Sequence, residues 1–288
     1  MNKVLSILTF FFLIGNIYGQ DSTTVNSKKL RNYTLLGTGI YIGGLIGLNA
    51  LWYSDSEQRN FHFFNDNSQW KQVDKVGHTY SAYQLSRISK DVLKSTGLDD
   101  KNSAIYGSIS GFLLLSPIEI LDGFASDYGA SYGDLIANFI GSGAFLTNEL
   151  LNDKIYIMPK FSFHKSKYAS RNPDLLGNGI HEEMIKDYNG QSYWLSFNAS
   201  PRHRVFKWIN LSLGYGAEEM VFARDRLNQA IGLNPNRQYY FGFEFNTAAI
   251  KTDKKGVKLI LYMLEMIKIP GPTLILQNNK LLFRPLYY

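Results

Sequence analysis

The chain contains no cysteine. That absence excludes disulfides, thiolate metal ligands and a cysteine nucleophile, and it leaves the redox compartment unmarked. It also excludes lipid attachment of the bacterial lipoprotein type, which requires an N-terminal cysteine. A basic stripe is missing as well. The 30 Lys and Arg exceed the 24 Asp and Glu to give a net charge of +6, but they are scattered, and no nucleic-acid motif accompanies them. The charge is therefore read as solubility or attraction to anionic membrane surfaces, with no nucleic-acid partner. There is no G-x-S-x-G, H-E-x-x-H, P-loop or dinucleotide fingerprint. Gly214-Tyr215-Gly216 is a lone G-x-G and is expected to form a turn or bulge.

What is present is an ordinary apolar fraction of 45% over 288 residues, enough for one large domain or two modest ones. Aromatics are unusually many, with 19 Tyr and 19 Phe, and such rings suit sheets and membrane interfaces. At the N-terminus, Lys3 precedes the apolar run Val4–Ile14 and a small-residue stretch ending at Gly19. This is the pattern of a signal peptide covering residues 1–19, so the rest is expected to be exported, to the periplasm or a membrane-associated place in a bacterial envelope.

Residues 20–32 read as a polar lead-in. Residues 33–53 carry no charge and repeat glycine at 39, 43 and 47, a close-packing helix face. The run is long enough to span a bilayer. However, Lys28, Lys29 and Arg31 would then lie on the exported side, so a buried helix remains open as the alternative. Three further helices are expected at about 70–95, 103–121 and 132–150, with Pro117 kinking or restarting the second. Gly107, Gly111, Gly141 and Gly143 would let neighbours approach. Beyond Asn152, alternation replaces helical period. Strands are expected around Tyr193–Asn198, Ile209–Tyr215 and Phe241–Phe245, with a hairpin through Asn278-Asn279 and one helix at Val257–Ile267. Residues 164–190 read as a long polar connection. The expected fold is α+β: a glycine-rich, membrane-associated bundle of about four helices over 33–152, then an antiparallel β-region with one helix over 153–288. A lone outer-membrane barrel is disfavoured by five or so strands and an intervening helix.

Three polar clusters interrupt the apolar helices. Asp74 and His78 are i, i+4, with Lys75 between. Asp74 could orient His78 and raise its basicity, or the two could simply form a helix-stabilising ion pair. Glu119 and Asp122 are i, i+3; they could divide acid and base roles, hold a hard cation, or end the helix at solvent. Ser131 and Asp134 fit a capping box, and Asn138 lies one turn further on. One histidine among oxygens suits zinc poorly, and no metal and no cofactor are expected.

The succession Asp-Lys-x-x-His, Glu-x-x-Asp-Gly and Ser-x-x-Asp-x-x-x-Asn-x-x-Gly resembles the YfiM-like family of periplasmic lipoproteins, a domain of unknown function. It is more distantly similar to the VanZ-like membrane proteins linked to glycopeptide-antibiotic resistance. The likeness covers about residues 68–150 and weakens through the tail, at Trp208-Ile209-Asn210, Gly214–Ala217 and Lys268-Ile269-Pro270. The resemblance implies that Asp74, Lys75, His78, Glu119, Asp122, Ser131, Asp134 and Asn138 are the family positions. It supplies no reaction. Three readings follow: a site for an envelope lipid or glycan-linked ligand, a hydrolase or transferase on such a lipid with His78 as base, and a scaffold with a buried polar network.

Overall fold

The structure, a computed structural model, describes residues 25–52, 57–151, 156–198 and 202–288. The expected signal peptide lies outside them. Helix α1 is Ser27–Trp52, so the last part of the polar lead-in is helical. It touches the rest through Lys29, whose Nζ donates to the Ser95 carbonyl, and Tyr41, whose hydroxyl donates to that of Leu114. Leu35, Leu36, Ile40 and Ile46 are exposed. A Cβ at Gly39, Gly43 or Gly47 would meet nothing within 4 Å, so the close-packing face expected there has no neighbour among the described residues.

Helices α2 (Val73–Ser95), α3 (Asp100–Asp122) and α4 (Tyr132–Leu150) form the packed unit. Asp99 caps α3 by accepting from the Asn102 amide, and Ser131 caps α4 by accepting from that of Asp134. Helix α3 runs through Pro117 without a break. It is long and apolar enough to cross a membrane by length and composition, although 39% of its most apolar stretch is buried in protein. Glycines set the contacts. A Cβ at Gly111 would sit 2.0 Å from Ser86 Oγ, and one at Gly141 would sit 2.1 Å from the Thr79 carbonyl oxygen. Both α3 and α4 therefore lie directly against the backbone of α2. Gly143 faces open space instead and does not serve the packing assigned to it from sequence.

Six antiparallel strands follow in the order of the chain: β1 Ile157–Phe163, β2 Gln191–Phe197, β3 Ile209–Glu218, β4 Asn236–Phe245, β5 Gly271–Gln277 and β6 Lys280–Tyr287. The strand β1 was not legible beforehand. Gly214 and Gly216 lie inside β3 rather than in a turn, because a Cβ at Gly214 would meet the Trp194 ring at 2.5 Å. The polar connection at 164–190 contains two short helices, α5 (Pro173–Leu176) and α6 (Ile180–Lys186), and buries Tyr168, Leu176, Asp187 and Asn189. Helix α7 is Asp225–Ala230, and α8 is Lys255–Leu264. After α8, Phe161 donates to the Met266 carbonyl and Lys268 donates back to that of Phe161. This bridge covers the outer edge of β1, which would otherwise expose unpaired backbone groups.

The sheet is polar on its enclosed face. Ser196, Ser212, Glu244 and Thr273 are buried there with Trp194, Tyr240 and Ile275. The carboxylate of Glu244 lies 2.7 Å from Lys160 Nζ and 3.5 Å from Lys268 Nζ, with all three side chains buried. Ser196 Oγ and the Ile269 amide also donate to Glu244, while Lys268 donates to the carbonyls of Phe243 and Ile269.

Candidate functional site

The site begins one turn before α2. Trp70, Lys71 and Gln72 all have positive φ, 48°, 51° and 63°, so the helix starts at Val73 and not at 70. Three consecutive non-glycine residues in this region are costly, and the surroundings hold them. The Trp70 amide donates to the Ala223 carbonyl at 2.9 Å, Lys71 pairs with Asp225 at 2.5 Å, and Arg237 donates to Gln72 at 2.6 Å. The left-handed turn aims the first turn of α2 at the junction of α3 and α4.

Asp74, Lys75 and His78 meet Glu119 from the end of α3 and Asp134 and Asn138 from the start of α4. The Lys75 ammonium lies 2.6 Å from Asp66, 3.0 Å from Asp74 and 2.8 Å from Asp134. His78 Nδ1 donates to Asn138 Oδ1 at 3.0 Å. His78 also lies 3.8 Å from each of Asp74, Glu119 and Asp134. These are electrostatic separations, and the direct partner of the imidazole is the asparagine. Ser131 ties the helix ends together. Its amide donates to Glu119 Oε2 at 3.1 Å and its hydroxyl donates to Asp66 at 2.6 Å. The Asp134 carboxylate does not return to the Ser131 amide as a capping box would have it, because Lys75 holds it. Asp122 stands on the wall of the adjoining cleft.

Burial and charge set the protonation states. Burial pushes Glu119 up to about 8; Asp134 and Asp122 add to that and His78 opposes it. Burial and Asp74 raise Asp134 to about 6 against His78 and Lys75. Burial alone would lower His78, but Asp74, Asp134 and Glu119 hold it above its usual range. Asp74 goes the other way: His78 and Lys75 overcome its burial and hold it low. Lys75 is raised despite burial by Asp74 and Asp134.

Asp66 and Tyr188 also belong to the site and were missed in the sequence. Tyr188 donates to Asp74 at 2.8 Å. Asp66 sits in a loop with no periodicity, and Tyr188 lies 114 residues from its partner, so neither carried a local signal. Asp74, His78 and Asp134 offer ligand atoms within 4.8 Å of one another and are the residues that could hold a metal. The Lys75 ammonium already bonds two of those carboxylates, so a cation entering there would have to displace it.

A cleft of about 550 Å³ opens beside the cluster. Asp66, Asp74, His78, Asp122 and Asp134 line it on one side. Leu48, Leu115, Ile118, Leu121, Met184 and Tyr193 supply apolar wall. Two polar atoms of the cluster, Glu119 Oε1 and Asn138 Nδ2, are buried and have no hydrogen-bond partner, although neither residue lines the cleft. A larger cleft of about 1430 Å³ lies elsewhere, between α2 and the sheet, and touches none of these residues.

Residues 62–149 match a family described as a predicted periplasmic lipoprotein (DUF2279), and that stretch contains all eight residues expected at the site. The description agrees with an exported, envelope-associated protein of unknown function. The 288 residues contain no cysteine, the residue to which lipid of the kind named in that description is attached. No curated protein matches the chain, and no solved structure does.

Proposed function

We propose that this is a membrane-associated envelope protein whose cleft binds an envelope lipid or a glycan-linked lipid. The observation that carries this reading is an apolar-walled cleft lined by Asp74, His78 and Asp134, whose cluster also holds two unpartnered buried atoms, Glu119 Oε1 and Asn138 Nδ2. Leaving such groups unpaired costs about 1–3 kcal/mol each. A bound hydroxyl or amide would satisfy them. The apolar walls suit a hydrocarbon chain, and the crowd of aspartates suits a polyhydroxyl or amine-bearing head better than a bare phosphate.

A second reading, a hydrolase or transferase on a lipid-linked substrate, draws on one observation. Glu119, pushed up to about 8 by burial, lies 3.8 Å from His78, which sets two ionisable groups side by side as acid–base chemistry requires. Turnover of a lipid-linked substrate that is abolished in Glu119→Gln would favour it.

The test of binding is the lipid carried through purification. Wild type and the double variant His78→Ala, Glu119→Gln are extracted in mild detergent and their lipids measured by mass spectrometry. One species retained in proportion to wild-type protein and lost from the variant supports the proposal. Equal lipid content in both overturns it.

A further inference from the structure

An antiparallel sheet in water buries its apolar face and wets its polar one. Here the arrangement is reversed. The face turned away from the Lys160–Glu244–Lys268 cluster is built from apolar rows in register. Leu195, Leu213, Phe241, Leu274 and Phe283 are successive cross-strand partners from β2 to β6. All five are exposed, from 36% at Leu274 to 61% at Phe283. On one side of this row run Phe197, Leu211 and Phe243, and on the other Tyr193, Tyr215, Tyr239, Leu276 and Leu281. Tyr80 of α2 packs on Tyr193, so the bundle covers one corner of the face. The other rows stay open. An apolar patch spread over five strands is far more than scattered exposed leucines.

The edge of this face says what covers it. At the end where β3 starts and β4 stops, Trp208 stacks on Phe245, with Phe206 and Ile209 exposed beside them. Lys207 lies over the Trp208 ring, and the cleft that Arg202, Lys207 and Lys251 line lies on the polar side of the sheet, with Lys160 and Ser196. Helix α8 follows, packed on the 247–249 turn. It exposes Leu259, Ile260 and Met263, and Lys251, Lys254, Lys255 and Lys258 flank it with Asp253 as the one acid among them. An apolar surface bordered by aromatic rings and a lysine-rich amphipathic helix is the chemistry of an anionic bilayer interface. We infer that the outer face of the sheet docks into the hydrocarbon of a membrane, with the 251–258 lysines at its anionic headgroups. The inference rests on the membrane association proposed above and is independent of the cleft's ligand.

The absence of cysteine makes the test clean. Leu213→Cys, Phe241→Cys and Leu274→Cys each place one environment-sensitive fluorophore on the face. Leu36→Cys marks α1, and Asn178→Cys marks an exposed loop. The full chain is reconstituted in vesicles of phosphatidylethanolamine and phosphatidylglycerol carrying spin-labelled acyl chains. The three sheet sites are expected to shift to the blue and to be quenched at least about twofold, with Asn178 unquenched. Vesicle-bound protein quenched at Leu36 but at none of the sheet sites would overturn the inference while leaving membrane association intact. Protein that does not bind vesicles at all would overturn both. Blue-shifted sheet labels that escape quenching and transfer energy between chains would assign the face to a second copy and overturn it too. Changing the four lysines to glutamate should release the sheet labels from quenching in these vesicles but leave circular dichroism unchanged. Unaltered quenching in that folded variant would refute the headgroup contact.

Discussion

Two buried polar networks can be compared within this molecule. In the sheet, Lys160, Glu244 and Lys268 meet with every charged group bonded, and Ser196 and the Ile269 backbone complete the shell. In the helices, Lys75 satisfies three carboxylates, yet Glu119 Oε1 and Asn138 Nδ2 stay unpaired in the same cluster, other members of which line a cleft. A closed network has nothing left to offer a ligand and serves the fold. An open one beside a cavity carries a cost that binding can relieve.

The largest effects should be those that strip either network of its cation. Lys75→Met leaves three carboxylates facing one another, and Lys160→Met leaves Glu244 with one distant lysine. Each is expected to cost about 3–5 kcal/mol in urea unfolding. The comparison breaks if Lys160→Met also empties the cleft of co-purified lipid, for then both networks would act on the ligand.

Next come the glycines that bring the site's helices together. Gly111→Ala forces a Cβ against Ser86 and should cost about 1–3 kcal/mol. Gly143→Ala meets nothing within 4 Å and should be neutral or gain up to about 1 kcal/mol from helix propensity. Thermal melts of the pair measure how tightly the cluster depends on backbone approach.

The pH dependence sharpens the same contrast. Glu119 has a folded pKa raised to about 8, so the folded state holds its proton more tightly than the unfolded chain. Its contribution to stability is complete below the ordinary glutamate range and is lost as pH rises through about 8. Raised Asp134 adds a loss up to about 6, and raised His78 adds one above the usual histidine range. Lowered Asp74 works in reverse, its contribution being lost as pH falls. Glu119→Gln should therefore flatten the decline between neutral and alkaline pH. A decline as steep as in wild type would show that Glu119 is already ionised. A smaller loss is expected at the cap: Ser131→Ala should cost about 1 kcal/mol for the lost bond to Asp134, with a further part for Asp66.

The helices were legible because their signals are local. The third of the packed helices has the boundaries read from its serine cap and apolar period, and of the eight residues grouped from sequence Asp74, His78, Asp122 and Asp134 line one cleft. What it concealed depended on distant partners. The left-handed turn at 70–72 is held by Ala223, Asp225 and Arg237, far along the chain. Strand β1 carries Pro159 and Lys160, which read as non-strand until Glu244 supplies a buried partner for the lysine. Alternation located β2, β3 and β4 but could not say which parity faced inward. The polar parity is the enclosed one, and only the Lys160–Glu244–Lys268 cluster makes that affordable.

The most direct measurement is made on His78→Gln, with unfolding free energy and co-purified lipid determined on the same preparation. Glutamine can still donate to Asn138 but cannot carry charge. The account predicts a loss of stability smaller than that of Lys75→Met, from removing the imidazolium charge that Asp74 and Asp134 favour, together with loss of the retained lipid. A loss of several kcal/mol with lipid content unchanged would contradict it and would make the helical network, like that of the sheet, a part of the scaffold.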